Sequence, residues 1–321
     1  MKAIRVTNFG GPEVLQLTTL PDPTPGPGQI LVRVQAIGIN PVDAYVRAGT
    51  YPNLPSTPYT PGTDTAGIIE AVGPDVPTKF RPGARVYTFG SVTGAYAELT
   101  LCTAAQVYPL PDCCSFPQGA ALGVPYGTAY RALFQRGGAK QGETLLVHGA
   151  SGGVGTAAVQ LARGAGLRIA GTAGTERGLE LVREQGAHLA LNHHDADYLD
   201  KAKEFTGGDG FNIILEMMAN TNLGKDLPQL ATTGRVVVIG SRGPAEINPR
   251  DIMGREADIR GMTLMRATPD ELIAIHAALY EGLGSGALKP IVGETFPLAE
   301  AAKSHEAIME SSHYGKIVLT P

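Results

Sequence analysis

A strand followed by a glycine-rich turn restricts the possible folds of this chain more than any other feature of its sequence. Residues 144–148 form a short apolar run, and Ala150, Gly152 and Gly155 hold the three positions of a G/A-x-G-x-x-G turn before a helical pattern at 155–165. Gly152 would let the backbone approach a pyrophosphate, Gly155 would permit close helix–strand contact, and the helix N-terminus would offer N–H groups to phosphate. The stretch predicts a dinucleotide site rather than a purely structural turn. The residues expected at the cofactor are Ala150, Ser151, Gly152, Gly153, Val154 and Gly155.

The sequence around this turn alternates between strand-like and helix-like patterns. These patterns follow one another at 144–148, 155–165, 168–173, 176–185, 189–191, 212–217 and 235–239. Strand–helix alternation at this length predicts an α/β fold with a parallel, doubly wound sheet. The tail, from about Leu264, has helical patterns at 269–280 and 298–309 and a last strand-like run at 316–319.

Proline is distributed unevenly and marks a change of architecture. Of the 24 prolines, 17 lie at or before Pro125, and none lies between Tyr126 and Leu227. Because proline interrupts helices and central strands alike, we expect a domain boundary near residue 124. The part before it has short β-rich runs separated by Gly- and Pro-containing turns, which are typical of a barrel or sandwich. These runs lie at 2–6, 29–36, 65–72, 85–87 and 96–101.

The end of the second strand of this alternating part indicates which dinucleotide is bound. NAD enzymes place an acidic residue about 20 residues after the glycine turn, where it binds the ribose hydroxyls, but this position is Gly174. Thr175 and Arg177 follow as a hydroxyl donor and a cation for a 2′-phosphate. His193 is a further candidate contact, with a surface histidine that has no role as its alternative. There are two alternatives to this interpretation. Glu176 would accept the ribose hydroxyls from a displaced position, or Arg177 would be a solvated helix residue without a role in binding. NADP is favoured over NAD.

Composition excludes several classes of protein. The net charge of −4 and pI of about 6.0 give no electrostatic footprint for nucleic acid or an anionic membrane. No secretory signal is visible, and no apolar run approaches the ~18 residues needed to cross a bilayer. The three cysteines, Cys102, Cys113 and Cys114, do not resemble a disulfide framework. We therefore expect a cytoplasmic protein.

Several further stretches resemble a known superfamily. The segments Gly38–Asp43, Pro61–Gly67 and Gly149–Gly155 are similar to the medium-chain dehydrogenase/reductase superfamily. Others resemble its zeta-crystallin-like quinone oxidoreductases, and the likeness runs nearly end to end. These are Arg47–Tyr51, Gly123–Leu133, Gly240–Gly243 and Ile247–Asp251.

The resemblance implies an architecture and an activity. It implies a GroES-like β-barrel catalytic domain, residues 1–124 with 265–321, and a Rossmann NADP-binding domain, residues 125–264. The implied activity is transfer of a hydride, or of single electrons, from NADPH to a quinone, with no zinc and no flavin. Subunits of the family pair around Glu246–Thr263, so a homodimer or homotetramer is expected.

The zinc ligands of the superfamily are missing from the sequence. Its zinc enzymes have a Cys at the place of Asn40, a His-Glu pair at Thr63-Asp64 and a four-cysteine lobe near 91–112. This chain has no histidine before His148 and only Cys102 in that lobe. Because zinc needs three or four N or S ligands together, the region cannot supply a site. A quinone is already electrophilic and needs no Lewis acid, whereas alcohol oxidation does.

By the same resemblance, the substrate pocket takes Asn40, Tyr45, Tyr51 and Thr63 from the barrel domain and Thr128 and Arg131 from the domain junction. Asn40 would donate its amide to a carbonyl oxygen, and the tyrosines would stack on the ring or donate a hydroxyl, unless they only pack a loop. Thr128 would lie at the nicotinamide ring. The loops that cradle this ring would contribute Ser241 and Leu264.

Two other functions stay open at this point. An NADPH-dependent enoyl or alkenal double-bond reductase is also zinc-free, and Tyr51 would then deliver the proton. A zeta-crystallin-type structural or RNA-binding role is the alternative of another class, and the acidic charge balance disfavours RNA.

Overall fold

The structure, a computed structural model, describes residues 1–310 and 313–321. The chain divides into a barrel unit, Met1–Val124 with Tyr280–Pro321, and a sheet unit, Pro125–Leu279. The expected domain ranges share the first boundary, whereas the second boundary lies at 279/280 instead of 264/265. The later boundary falls inside one continuous helix, Pro269–Gly284, whose apolar pattern has no break that sequence reading could detect.

The barrel unit is built from short, mainly antiparallel strands. Strands β1 and β2 form a two-stranded sheet, and a seven-stranded sheet has the order β14-β15-β3-β4-β5-β7, with β6 paired to β3. Alternate side chains of β3, such as Ile30, Val32 and Val34, are buried, because a strand presents every second residue to one face. The strands of this unit are β1 Lys2–Arg5, β2 Gln16–Thr19, β3 Gln29–Gly38, β4 Asp64–Val72, β5 Arg85–Phe89, β6 Leu99–Thr103, β7 Val107–Pro109, β14 Val292–Pro297 and β15 Lys316–Thr320.

Short helices complete the barrel unit. Helix α1 begins after its N-cap Asn40, whose N–H donates to the Asp43 carboxylate as in one half of a capping box, and Pro41 occupies the first turn; each feature favours a helix start. The helices within this unit are α1 Pro41–Arg47, α2 Phe116–Gly119 and α10 Ala301–Ala307, while α3 Gly123–Tyr130 and α9 Pro269–Gly284 cross the two boundaries.

The sheet unit has the predicted doubly wound fold. Its six strands are all parallel, in the order β10-β9-β8-β11-β12-β13. The chain order reverses between β8 and β11, and ligands of such sheets bind at the carboxyl ends of the strands beside this switch point. The elements of this unit are β8 Thr144–Val147, α4 Gly153–Gly164, β9 Arg168–Ala173, α5 Glu176–Glu184, β10 Leu189–Asn192, α6 Tyr198–Phe205, β11 Phe211–Glu216, α7 Ala219–Asp226, β12 Leu230–Val238, α8 Pro249–Met253 and β13 Asp258–Gly261.

Two predicted strands differ from the observed ones by three or more residues at one end. The run expected at 235–239 belongs to a longer strand that begins at Leu230, and Thr233 within it has a φ of 59°, which interrupts the alternating pattern. The run expected at 96–101 begins only at Leu99, because Tyr96 lies in a loop. Among the helices of the described residues, none is long and apolar enough to span a membrane.

Candidate functional site

The glycine-rich turn of the sheet unit lies directly after β8, at the switch point. A Cβ on Gly155 would lie 2.2 Å from the Gly149 carbonyl oxygen and 2.5 Å from Ala150 Cα, so only glycine lets α4 approach the turn this closely. A Cβ on Gly152, in contrast, would meet nothing closer than 3.5 Å. Gly152 is the N-cap of α4 and makes no side-chain cap bond. The space beside Gly152 is thus open, and together with the first N–H groups of the helix, which lack intrahelical acceptors, it forms a cradle of the kind that binds a pyrophosphate.

The second strand of the sheet, β9, ends at a small cluster of donors. A Cβ on Gly174 would lie 2.8 Å from His193 Nε2, so this histidine lies beside the acid-free position. A Cβ on Gly178 would lie 3.1 Å from Thr175 Oγ1 and 3.2 Å from Ser151 Oγ. The structure thus brings together four of the predicted cofactor residues at one place.

The hydroxyl of Thr175 keeps its hydrogen available. Its Oγ1 accepts a bond of 3.1 Å from the N–H of Gly178 as the N-cap of α5, and a hydroxyl that accepts can still donate. Arg177 is more than half exposed and lies 3.6 Å from Glu180. Both the Thr175 hydroxyl and the exposed Arg177 guanidinium carry donors of the type that bind phosphate oxygens.

The predicted nicotinamide contacts lie on two elements of the sheet unit. Thr128 is buried in α3, and a Cβ on the adjacent Gly127 would lie 3.0 Å from Leu264 Cδ2. Leu264 therefore packs against the helix that carries Thr128. Ser241 lies in an exposed loop, where its hydroxyl donates to the Gly243 carbonyl at 2.7 Å.

Arg131 lies where the regular helix α3 ends. Residues Arg131–Arg136 continue as a π-helix, a rare geometry found often at functional sites. The Arg131 guanidinium pairs with Glu271 at 2.6 Å and donates to Gln135 at 3.1 Å. Its Nε is buried without a hydrogen-bond partner among the described residues. Arg131 is thus held by Glu271 and Gln135 through Nη1, while its buried Nε–H lacks an acceptor among the described residues.

The sheet unit contains a buried polar triad that was not predicted from the sequence. His148 Nε2 lies 2.8 Å from Asp226 Oδ1 and 3.6 Å from Glu216 Oε2. Burial tends to lower the pKa of His148, but Asp226 and Glu216 outweigh it, and the pKa is raised. Burial raises the pKa of Glu216 to about 7. Because Glu216 also accepts the N–H of Met218, the triad ties the start of the glycine turn to the end of β11.

A second buried network lies in the barrel unit, around Asn40. Asn40 Nδ2 donates to Asp64 Oδ2 at 3.0 Å, and Lys316 Nζ donates to Asn40 Oδ1 at 2.5 Å and to Asp64 Oδ2 at 3.3 Å. The Asp64 carboxyl also accepts the N–H of Val124. All of these neighbours of Asp64 are donors, so it serves as a carboxylate, although burial raises its pKa and lowers that of Lys316. The amide of Asn40 is therefore less free than predicted, because one of its two hydrogens is already committed.

The residues of this network also show whether the barrel unit could bind a zinc ion. The superfamily's metal position corresponds to Asn40 and Thr63-Asp64, and of these only Asp64 offers a charged ligand atom. The ammonium group of Lys316 lies within 3.3 Å of that carboxylate and would repel a metal cation. These residues do not fit a zinc ion. Among the described residues, the one cluster of three candidate ligand groups is His148, Glu216 and Asp226, which bond to each other and to the backbone.

A further chain of hydrogen bonds supports α1. Asp43 accepts the N–H of Asn40 at 2.9 Å and the hydroxyl of Tyr96 at 3.1 Å, and Tyr96 also lies 2.9 Å from His305 Nε2. Burial raises the pKa of Asp43 to about 7 and lowers that of His305 to about 3. His305 thus supports, through Tyr96 and Asp43, the helix that follows Asn40.

The remaining predicted substrate residues lie in and after this helix or beside Asp64. Tyr45 is on α1 and Tyr51 follows it, and both are half-buried. The Thr63 hydroxyl is buried and has no hydrogen-bond partner among the described residues. An unpaired buried polar group costs free energy unless a ligand satisfies it, so Thr63, like Arg131 with its unpaired Nε, is a predicted residue that this geometry marks for a ligand.

Comparison with protein families matches both units. The family described as "Alcohol dehydrogenase GroES-like domain" matches residues 26–112, and that described as "Zinc-binding dehydrogenase" matches residues 153–278.

Individual relatives are more specific. The chain is 51% identical to human "Quinone oxidoreductase" over 99% of its own length and 97% of that protein's. The crystal structure of Escherichia coli quinone oxidoreductase complexed with NADPH matches with a TM-score of 0.91 and 31% identity over the whole of both chains. A structure described as an NAD-dependent alcohol dehydrogenase matches with a TM-score of 0.93 and 29% identity, also over the whole of both chains. The overall fold therefore does not decide between the two nicotinamide cofactors, and the residues at the end of β9 must do so.

Proposed function

Since this chain belongs to the quinone oxidoreductases of the medium-chain dehydrogenase/reductase superfamily, we propose that it transfers a hydride from NADPH to a quinone. The observation that carries the proposal is the open cradle at Gly152, in a chain half identical to a quinone oxidoreductase over its whole length. If this turn no longer bound a ligand, a residue with a side chain could stand at position 152, because a Cβ there meets nothing closer than 3.5 Å.

The sheet unit is proposed to bind the cofactor along the carboxyl ends of its strands. The N-terminus of α4 faces the pyrophosphate, and the hydroxyls of Ser151 and Thr175 together with Arg177 bind the 2′-phosphate next to Gly174. An aspartate or glutamate at 174 would repel that phosphate, and its absence favours NADPH over NADH. Thr128 and Leu264 support the nicotinamide ring, which supplies the hydride.

Quinone reduction suits a pocket without a metal. The quinone takes up the hydride on its ring system and a proton from water, which gives the hydroquinone and balances the oxidation of NADPH to NADP⁺. Negative charge develops on the quinone oxygen in between, and correctly placed donors stabilise it. Among the described residues of the barrel unit, Thr63 Oγ1 and the uncommitted amide hydrogen of Asn40 are two donors proposed for this role.

Turnover with different acceptors tests this proposal. We expect the protein to consume NADPH with 1,2-naphthoquinone or 9,10-phenanthrenequinone, and much more slowly with a crotonyl thioester or an enal. The matched variant is Tyr51→Phe, because a double-bond reductase would need the Tyr51 hydroxyl to deliver a proton whereas quinone reduction would not. If the wild type turned over the enal faster than the quinones, and if Tyr51→Phe lost this activity, the protein would be a double-bond reductase and the proposal would be wrong.

The remaining properties of the enzyme are proposed on the same basis. We propose that it works without zinc or flavin, in the cytoplasm, as a homodimer or homotetramer paired around Glu246–Thr263. This segment contains β13, the edge strand of the parallel sheet, whose Ile259 is 38% exposed, and Met253, which is 74% exposed. Exposed apolar side chains beside an open strand edge are typical of a pairing surface. Sedimentation velocity of Ile259→Lys against the wild type would test the assembly.

A further inference from the structure

Lys316 is a charged residue of the barrel unit whose buried position neither its type nor its sequence context explains. It is the first residue of β15, its side chain is 3% exposed, and its ammonium group contacts Asn40 and Asp64. Burying an ammonium group costs several kcal/mol, which one good ion pair barely offsets. Replacement of a buried ion pair by uncharged residues of similar size is often neutral or stabilising, so a gain in stability does not by itself account for the pair.

The contacts of Lys316 fix the direction of the Asn40 amide. The amide oxygen accepts from Lys316 Nζ at 2.5 Å, and the amide nitrogen donates to Asp64 Oδ2 at 3.0 Å. If the amide turned by 180°, its NH₂ would face the ammonium group and its oxygen would face the carboxylate, so both bonds would become repulsive. Lys316 and Asp64 together therefore permit a single orientation.

This orientation leaves one amide hydrogen of Asn40 uncommitted. An amide whose oxygen accepts from a cation is polarised, which strengthens the remaining N–H as a donor. The Asn40 backbone is held as well, since its N–H donates to Asp43 and the residue caps α1. Both the side chain and the main chain of Asn40 are thus fixed, as a donor to a developing oxyanion requires.

We propose that Lys316 is a positioning residue for the reaction: its buried ammonium group orients and polarises the Asn40 amide, so that the free N–H stabilises the oxygen of the quinone as negative charge develops there. This inference rests on the proposed quinone reduction and adds a residue to it. Lys316 exchanges no proton with the substrate, because it acts only through Asn40. The ammonium group thus provides internally, through an amide, part of the polarisation that zinc provides in related enzymes.

The test compares a single variant with a charge-balanced double variant. Lys316→Met leaves Asp64 buried and unpaired, so it is expected to lower both stability and kcat. Lys316→Met/Asp64→Asn removes the pair without changing the net charge and is expected to recover stability. We expect this double variant to keep its affinity for NADPH, measured by fluorescence titration, while kcat for 9,10-phenanthrenequinone stays about tenfold or more below wild type. Lys303→Met, the same substitution on the exposed face of α10, is the control.

A second readout needs no turnover. 4-Nitrophenol is a flat phenol whose ionised form absorbs visible light, so its ionised fraction in the complex with NADP⁺ reports directly how well the pocket stabilises an oxyanion. We expect the ratio of ionised to neutral bound ligand at neutral pH to be about tenfold lower in the double variant than in wild type, which is one unit in the pKa of the ligand. A purely structural role of Lys316 would not change this ratio.

The outcomes separate this inference from the function on which it rests. A stable double variant with wild-type kcat and a wild-type nitrophenol signal would overturn the role of Lys316 and leave quinone reduction intact. No quinone turnover by the wild type would instead refute the proposed function. Lys316→Arg, which keeps a cation and donors beside Asp64, should retain at least about a tenth of the wild-type kcat. Loss of activity in a well-folded Lys316→Arg would also count against the proposal.

Discussion

Alanine substitutions at two glycines of the glycine-rich turn should have different effects. Gly155→Ala should lower the stability of the protein, whereas Gly152→Ala should weaken the binding of NADPH. At Gly155 the new methyl group would lie 2.2 Å from the carbonyl oxygen of Gly149. Ordinary contact begins at 3.4 Å, so the helix and the turn would have to separate by about 1.2 Å. At Gly152 the nearest atom lies at 3.5 Å and the backbone φ is −79°, so alanine fits without any shift.

The size of each effect follows from these distances. Overpacking costs typically 1–3 kcal/mol where side chains can yield, and at Gly155 the opposing atoms are backbone, so we expect about 3 kcal/mol. At 2–4 °C per kcal/mol for a unit of this size, Tm falls by roughly 6–12 °C. Gly152→Ala should leave Tm unchanged, while its methyl group occupies the space that the pyrophosphate needs. We expect its Kd for NADPH to rise about 100-fold, or about 2.7 kcal/mol.

Calorimetry gives Kd and thermal unfolding gives Tm for both variants. Gly164→Ala is the matched control, since it lies at the end of the same helix and a Cβ there meets nothing within 4 Å. It should match the wild type in NADPH affinity and should not be less stable, because alanine is the better helix former. Wild-type NADPH affinity in Gly152→Ala would refute the assignment of the turn to the pyrophosphate, and an unchanged Tm in Gly155→Ala would refute the steric reasoning.

Three further predictions concern cofactor choice, pH and metal. Gly174→Asp should shift the preference in kcat/KM from NADPH toward NADH by about 100-fold, because its carboxylate repels the 2′-phosphate, while His193, whose ring end lies 2.8 Å from the new Cβ, is exposed and can move. The pKa of Glu216 is raised from 4.5 to about 7, so the folded state binds the extra proton between these values and stability falls as pH rises through that window. Denaturant titrations at several pH values give the slope of the free energy of unfolding against pH. In Glu216→Gln this slope should be less steep by on the order of 1 kcal/mol per pH unit; an unchanged slope would contradict the raised pKa of Glu216. Prolonged dialysis against a chelator should leave quinone turnover unchanged, and a loss restored by added zinc would contradict the metal-free pocket.

Sequence reading predicted the fold where the local pattern was strong. The strand 168–173 was predicted at its observed bounds, and the helix after the glycine turn to within two residues, because turn chemistry and apolar periodicity agree there. The helix α1, Pro41–Arg47, was not predicted, since its seven residues are too few to give a clear apolar period. The edge strand β13 was missed for a similar reason, because only one of its four residues, Ile259, is strongly apolar.

The candidate site was predicted less completely, and the reason is sequence separation. Ser151, Gly174, Thr175 and His193 could be grouped in advance because the fold brings the ends of β8, β9 and β10 to one edge of the sheet. Lys316 could not, since it is 276 residues from Asn40 in the chain and lysine is ordinarily exposed. Nothing local to His148, Glu216 or Asp226 indicates that they meet; only the parallel pairing of β8 with β11 does.

Single-turnover kinetics in a stopped-flow instrument test the central claim most directly. The purified protein is mixed with one equivalent of NADPH or NADH and then with 9,10-phenanthrenequinone, while the nicotinamide absorbance is followed. We predict rapid loss of the absorbance with NADPH, at least tenfold slower loss with NADH, and a primary isotope effect when the transferred hydrogen of NADPH is deuterium. Equal rates with the two cofactors, or no oxidation of NADPH by the bound protein, would contradict this account.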